Sequence, residues 1–193
     1  FPYTTLFRSD LKKPEFKNGF AVANPALSGT AYMSIALLTK QFGPDFFKEL
    51  KANGARVGKG SGQVIDDTAS GELTACLGVD YITNAKIAKG AHLQMCYPPE
   101  LIMVPSPVAI FKDSKQMDAA QKFVDYLLGA EAQQMVANQG TIPVREDVKI
   151  DPKFGLVSPK VAIEKGIKVN YLDIIDSKEK IVKDFTELMQ VKK

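Results

Sequence analysis

An α/β fold built on a mainly parallel sheet is what this chain predicts, and three observations carry that reading. Helix and strand signals alternate between Phe20 and Tyr97 in the order β-α-α-α-β-α-β. A short apolar run, Phe20-Ala21-Val22-Ala23, feeds directly into Ser28-Gly29-Thr30 at the start of an amphipathic helix. With 45% apolar residues among 193, the chain can also bury one sizeable core.

The helix after the first strand carries Ala31, Ile35, Leu38 and Phe42 on one face. Gly43-Pro44 ends it and opens a second helix, Asp45 to Ala52, which Asn53-Gly54 closes. Gly58 to Gly62 reads as a loop and residues 63–70 as a helix stopped by Gly71. A strand over 73–79, a short helix over 82–88 and a strand over 93–97 complete this half.

Prolines then become dense. Tyr97-Pro98-Pro99-Glu100 and Pro105-Ser106-Pro107 bracket residues 101–104, and an apolar strand over 108–111 follows. Prolines at this density do not sit in a central strand, so the segment predicts an edge, a crossover or a hinge. A helix over 118–128 places Ala120, Phe123, Val124, Leu127 and Leu128 on one face. Gly129 interrupts it, and a second helix over 131–138 is capped by Gly140. A loop over 147–158, a helix from Pro159 to Lys165, a strand over 167–172 and a final helix over 178–190 follow. That last helix aligns Ile181, Val182, Phe185, Leu188 and Met189.

Composition excludes several functions. The net charge of +3 comes from 25 basic and 22 acidic residues without a basic block, so nucleic acid is not an expected partner. No run approaches the eighteen or so apolar residues of a membrane-spanning helix. His92 is the only histidine, which excludes a His-rich zinc site. It follows Gly90 in a helix-to-strand turn and reads as a surface residue. Cys76 and Cys96 are expected as buried free thiols, with a disulfide open if their strands are neighbours. Phe1 to Ser9 matches the translation of a sequencing adapter and is expected to contribute nothing to the core.

Four candidate sites emerge. Ser28-Gly29-Thr30-Ala31 presents backbone N–H groups and hydroxyls at a positive helix end, which suits a small anion. The same residues read equally well as an ordinary N-cap. Gly58 to Gly62 lacks the spacing of a nucleotide phosphate loop, but Ser61 at another helix start repeats the first geometry. Asp80-Tyr81 ends a strand, where the carboxyl edge of a parallel sheet forms ligand crevices. Asp80 can hold an ammonium, a hydroxyl or a metal, or can cap the next helix; Tyr81 offers a phenolate or a stacking face. Glu100 in the proline-rich crossover is the weakest of the four. No nucleophile–base pair or catalytic carboxylate pair appears, so the chain does not read as an enzyme.

Several of these motifs recur together and in order: Asn24-Pro25 with Ser28-Gly29-Thr30-Ala31, Ser70-Gly71-Glu72, Gly78-Val79-Asp80-Tyr81, Tyr97-Pro98-Pro99-Glu100, Ala119 to Leu128 and Gly140-Thr141-Ile142-Pro143-Val144-Arg145. From Asp10 onward the chain resembles the iron(III)-type extracellular solute-binding proteins of ABC importers. The resemblance implies a type II periplasmic-binding-protein fold, with a ligand held between two lobes that close about a hinge. It implies residues 10–104 as the first part of the C-terminal lobe. Residues 105–145 become the hinge crossover and a remnant of the N-terminal lobe, and 146–193 the return segment. Most of the N-terminal lobe would then be missing, leaving Phe123, Leu127 or Leu128 more exposed than their type warrants.

For the site, the resemblance implies that Ser28, Gly29, Thr30 and Ala31 grip a phosphate while Asp80 and Glu100 contact its polar remainder. Tyr81 is the one residue implied as a metal ligand. It lacks the neighbouring tyrosine of ferric relatives, and Leu101 stands where many relatives carry glycine. The ligand implied is iron(III) with an anion, or a phosphate- or phosphonate-bearing solute. No cofactor is expected beyond Fe(III) as transported cargo, and the partner is an ABC permease. The implied location is the periplasm, or the outer face of the membrane as a lipoprotein. An anion-sensing domain of a regulator with the same fold is the alternative.

Overall fold

A computed structural model describes residues 8–191. The chain divides into two compact units, Phe1–Ile102 with Gly166–Lys193, and Met103–Lys165.

The first unit is organised around β1 (Phe20–Ala23), whose residues are all buried. Its neighbours are β2 (Arg56–Gly58) and β3 (Ala75–Cys76), both parallel to it, in the order β2-β1-β3. The register sets Ala21 opposite Arg56 on one side and Cys76 on the other. Alternate side chains of β1 serve opposite faces of the sheet. Phe20 and Val22 pack with Ile35, Leu38, Phe46, Leu50 and Phe185, while Ala21 packs with Val64 and Leu73. A parallel strand covered on both faces reads as a continuous apolar run, which is why Phe-Ala-Val-Ala stands out in the sequence.

Four helices stand out for length or for the site: α1 (Gly29–Phe42), α2 (Asp45–Ala52), α3 (Ser61–Ala69) and α4 (Asp80–Ile87). Gly58 permits the tight passage from β2 to α3, because a Cβ there would lie 2.6 Å from Val64 Cγ1. The chain returns to this unit through a parallel bridge between Leu101 and Gly166.

The second unit holds α5 (Met117–Leu128), α6 (Ala130–Asn138) and α7 (Pro159–Lys165). Gly129 ends α5 and opens α6. The buried Gln133 side chain fixes that corner, donating to the Leu127 carbonyl at 2.7 Å and accepting the Val144 N–H at 2.8 Å. The apolar face of α5 is uncovered: Phe123 is 59% exposed and Leu128 48%. This unit extends past residue 145 to Lys165.

After Gly166 the chain forms α8 (Tyr171–Asp176) and α9 (Lys178–Met189) in the first unit. The Phe185 ring of α9 meets Phe47 edge-on at 5.2 Å between centroids. Buried Tyr32 on α1 donates its hydroxyl to the Ile174 carbonyl of α8.

Several expectations are corrected. Residues 93–97 and 108–111 form no strand, and Phe111 is 89% exposed. Neither run has a partner strand among the described residues, and an apolar stretch without a ladder leaves its backbone groups to solvent. The strand expected over 167–172 does not form: residues 167–170 are irregular, and Tyr171 and Leu172 open α8, which Asn170 caps by accepting the Leu172 N–H on Oδ1 at 3.1 Å. Gly58, the first residue of the expected loop, is instead the last residue of the edge strand β2, and Arg56 and Val57, for which no strand was expected, form the rest of it. Cys96 is exposed rather than buried, and both cysteines are free thiols.

Arg8, within the segment set aside as an adapter, is buried, and its Nη2 donates to the Glu100 carbonyl at 3.2 Å. Burial depresses its pKa to about 10, with the Glu100 charge acting in the opposite sense. The other expectations for that segment fall mainly on Phe1 to Phe7, outside the described residues.

Candidate functional site

Each strand of the parallel sheet runs at its carboxyl end into a helix: β1 into α1, β2 into α3 and β3 into α4. Three helix N-termini therefore open along one edge, where their partial positive charges and unpaired N–H groups accumulate. A cleft lies at this edge. It is lined by Val22 and Ala23 of β1, Thr30, Ala31 and Ser34 of α1, Ser61 of α3, and Gly78 and Val79 ahead of α4. No charged side chain lines it.

At α1, Ser28 adopts extended backbone angles and its hydroxyl accepts the Ala31 N–H at 3.2 Å. Ser28 is thus an N-cap in its own right. The cap leaves the N–H groups of Gly29 and Thr30 without a partner among the described residues. Gly60 occupies the equivalent position before α3 with no side chain to offer. The N–H groups of Ser61 and Gly62 accordingly have no partner among the described residues either.

At α4, Val79 precedes the helix and Asp80 is its first residue. The Asp80 carboxylate accepts the Tyr81 N–H at 2.8 Å, so it serves the helix start from inside rather than as the N-cap. Tyr81 is 52% exposed.

The structure brings Thr30, Ala31 and Ser61 into one cleft, and Val79 carries its wall up to Asp80. Ser28, Gly29, Asp80, Tyr81 and Glu100 are not among its lining residues. Glu100 is half-buried, with its carbonyl held by Arg8.

Two residues escaped the sequence reading. Ser34 sits one turn after Thr30 on the cleft side of α1, a position the four-residue spacing of two hydroxyls could have revealed. Tyr97 has a buried hydroxyl with no hydrogen-bond partner among the described residues. Burial, and secondly the Asp80 charge, hold its phenol well above the ordinary tyrosine pKa. Burial likewise raises the Cys76 thiol, partly opposed by a hydrogen bond with Thr68.

Among the described residues no group of three or more His, Cys, Asp or Glu side chains is placed to hold a metal ion. No helix among them is long and apolar enough to cross a membrane.

Residues 8–141 match the family model described as bacterial extracellular solute-binding protein. The chain belongs to that family. Its members are binding proteins rather than enzymes, and the type II periplasmic-binding-protein fold accounts for the mixed α/β architecture and parallel sheet.

The chain spans 35–39% of the length of the curated relatives it matches. One is the phosphoglycerate transport regulatory protein PgtC of Salmonella typhimurium, 26% identical over 141 residues, covering 70% of this chain and 35% of PgtC. Among solved structures, the periplasmic binding protein AfuA of Actinobacillus pleuropneumoniae, with fructose 6-phosphate bound, superposes with a TM-score of 0.71 at 22% identity, over 100% of this chain and 62% of AfuA. The ferric binding protein of Campylobacter jejuni superposes with a TM-score of 0.65 at 19% identity, over 94% of this chain and 62% of that protein. Both likenesses establish the fold.

Proposed function

We propose that the chain is part of the substrate-binding component of a bacterial ABC importer and takes a phosphate-bearing solute at the carboxyl edge of its sheet. One observation carries this reading: three helix starts converge on a cleft walled by the hydroxyl-bearing residues Thr30, Ser34 and Ser61. Unpaired N–H groups and aligned helix dipoles favour an anion there, and a tetrahedral oxyanion can accept from several of them at once. In this reading Gly29, Thr30 and Ser61 hold the phosphate, Ala31 lines the cleft with its N–H committed to Ser28, and Ser28 shapes the turn. Asp80 and Glu100 contact the polar remainder of the solute. PgtC is a phosphoglycerate transport regulatory protein and AfuA has been solved with fructose 6-phosphate bound, which supports the same choice.

Capture outside the cytoplasm, lobe closure and delivery to a membrane permease complete the proposal. Family membership favours transport over the anion-sensing alternative. An Fe(III) ion as cargo is the second reading. It rests on Tyr81, a half-exposed phenol at the first turn of α4, and would need further ligands beyond that single side chain.

A thermal-shift panel tests both readings, because a ligand that binds only the native state raises its apparent stability. Fructose 6-phosphate, 3-phosphoglycerate, inorganic phosphate and ferric citrate form the panel. Stabilisation by the phosphate compounds supports the proposal; stabilisation by ferric citrate alone selects the second reading.

A further inference from the structure

The cleft at the carboxyl edge of the sheet has a one-sided chemistry. Its polar side chains are the hydroxyls of Thr30, Ser34 and Ser61, and every other lining residue is aliphatic or glycine. None of the three hydroxyls makes a hydrogen bond among the described residues. The backbone carbonyls of α1 and α3 point away from their N-terminal ends, so the helix starts add donors and no acceptor. Lys59, shortly before Ser61, and Asp80, directly after Val79, are the charged residues that adjoin the cleft along the chain, and neither lines it.

We propose that the cleft selects its solute by the ionisation of the phosphate, taking the doubly charged monoester and excluding forms that carry a proton or a second ester. The proposal rests on the phosphate-bearing reading above and adds the charge state and ester class of the group. A phosphomonoester dianion presents oxygens that only accept, which complements hydroxyls and N–H groups that donate. Protonating one of those oxygens sets an O–H against the donors, and no carboxylate or imidazole lines the cleft to receive it. A serine or threonine hydroxyl that accepts this proton lacks the negative charge that makes such bonds strong. The monoanion also has less charge to set against the three positive helix ends. A phosphodiester is singly charged throughout the ordinary pH range and is excluded on the same ground. Sulfate, a dianion without a proton, meets the requirement as the phosphomonoester does, so the organic remainder has to tell the two apart.

Titration calorimetry of the chain in chloride buffers of equal ionic strength, at about pH 8 and about pH 5, tests this with glycerol 3-phosphate, sulfate and dimethyl phosphate as probes. A phosphomonoester loses its second proton near pH 6, so about a tenth of it is dianionic at about pH 5. Glycerol 3-phosphate is therefore expected to bind about tenfold more weakly at about pH 5 than at about pH 8, and sulfate equally at both. Dimethyl phosphate is expected to bind at neither. Equal glycerol 3-phosphate affinities at the two pH values would overturn the proposal and leave the phosphate reading intact. So would a parallel weakening of sulfate, because a group of the protein would then be titrating rather than the ligand. Dimethyl phosphate binding as tightly as glycerol 3-phosphate would overturn the exclusion of diesters and the proposal with it. Failure of glycerol 3-phosphate to bind at about pH 8 would overturn the phosphate reading itself, and this proposal falls with it.

Discussion

The Ser28 hydroxyl accepts the Ala31 N–H at 3.2 Å, and this one bond decides which donors α1 presents at the cleft. With Ala31 N–H satisfied, the N–H groups of Gly29 and Thr30 are the open donors of the first turn. Ser28→Ala should cost the fold about 1 kcal/mol, the usual value of a lost N-cap. Chemical denaturation would measure it, and an unchanged midpoint would mean that the cap is dispensable.

Thr30 lines the cleft and its hydroxyl makes no hydrogen bond among the described residues that would tie it to the fold. Thr30→Val keeps the shape and removes the donor. In this account it weakens a phosphate-bearing ligand by about 1.5–3 kcal/mol, the range for hydrogen bonds to charged groups, with little change in stability. Calorimetric titration checks both halves, and an equal loss of stability would reassign Thr30 to the core.

Gly58 is held by sterics. A Cβ at this position would lie 2.6 Å from Val64 Cγ1, and Val64 is fully buried against Ala21 and Leu73. Gly58→Ala should destabilise by about 1–3 kcal/mol through overpacking. Gly29→Ala meets nothing within 4 Å and should leave stability near its original value. Melting curves of the two variants side by side test the contrast.

The Tyr97 phenol sets a pH dependence. Its folded pKa is raised by burial and by Asp80, above the ordinary tyrosine value of about 10. The folded state therefore binds the proton more tightly than the unfolded chain. Stability from this group is present below about pH 10 and is lost as pH rises from there toward the folded value. Tyr97→Phe should flatten the alkaline fall in stability and remove a late-titrating phenol from the tyrosinate absorbance. Identical alkaline profiles for the two proteins would contradict the assignment.

Much of the fold was legible because local and tertiary signals agreed. Ser28 before Ile35 and Leu38 announced α1, and Phe20 to Ala23 announced a strand buried on both faces. The aligned Ile181, Phe185 and Leu188 announced α9. What failed depended on partners. Arg56–Gly58 is a strand only because β1 supplies the ladder, and three residues are too few to show a period. Residues 93–97 look like a strand yet meet no ladder. At 167–172 an apolar run outweighed the capping signal of Asn170. The cleft was legible where chain order reveals it, at the loop after each strand. Ser34 and Tyr97 were missed because one sits inside a helix and the other depends on burial that no local pattern encodes.

Anion binding at the convergent helix starts is read directly by the amide chemical shifts of the donors there. A nitrogen–proton correlation spectrum of the chain, titrated with fructose 6-phosphate, should show saturable shifts concentrated at Gly29, Thr30, Ser61 and Gly62. These shifts should fall away at high ionic strength or in the Thr30→Val variant. Saturable shifts confined to other parts of the chain, with those four amides unmoved, would contradict it.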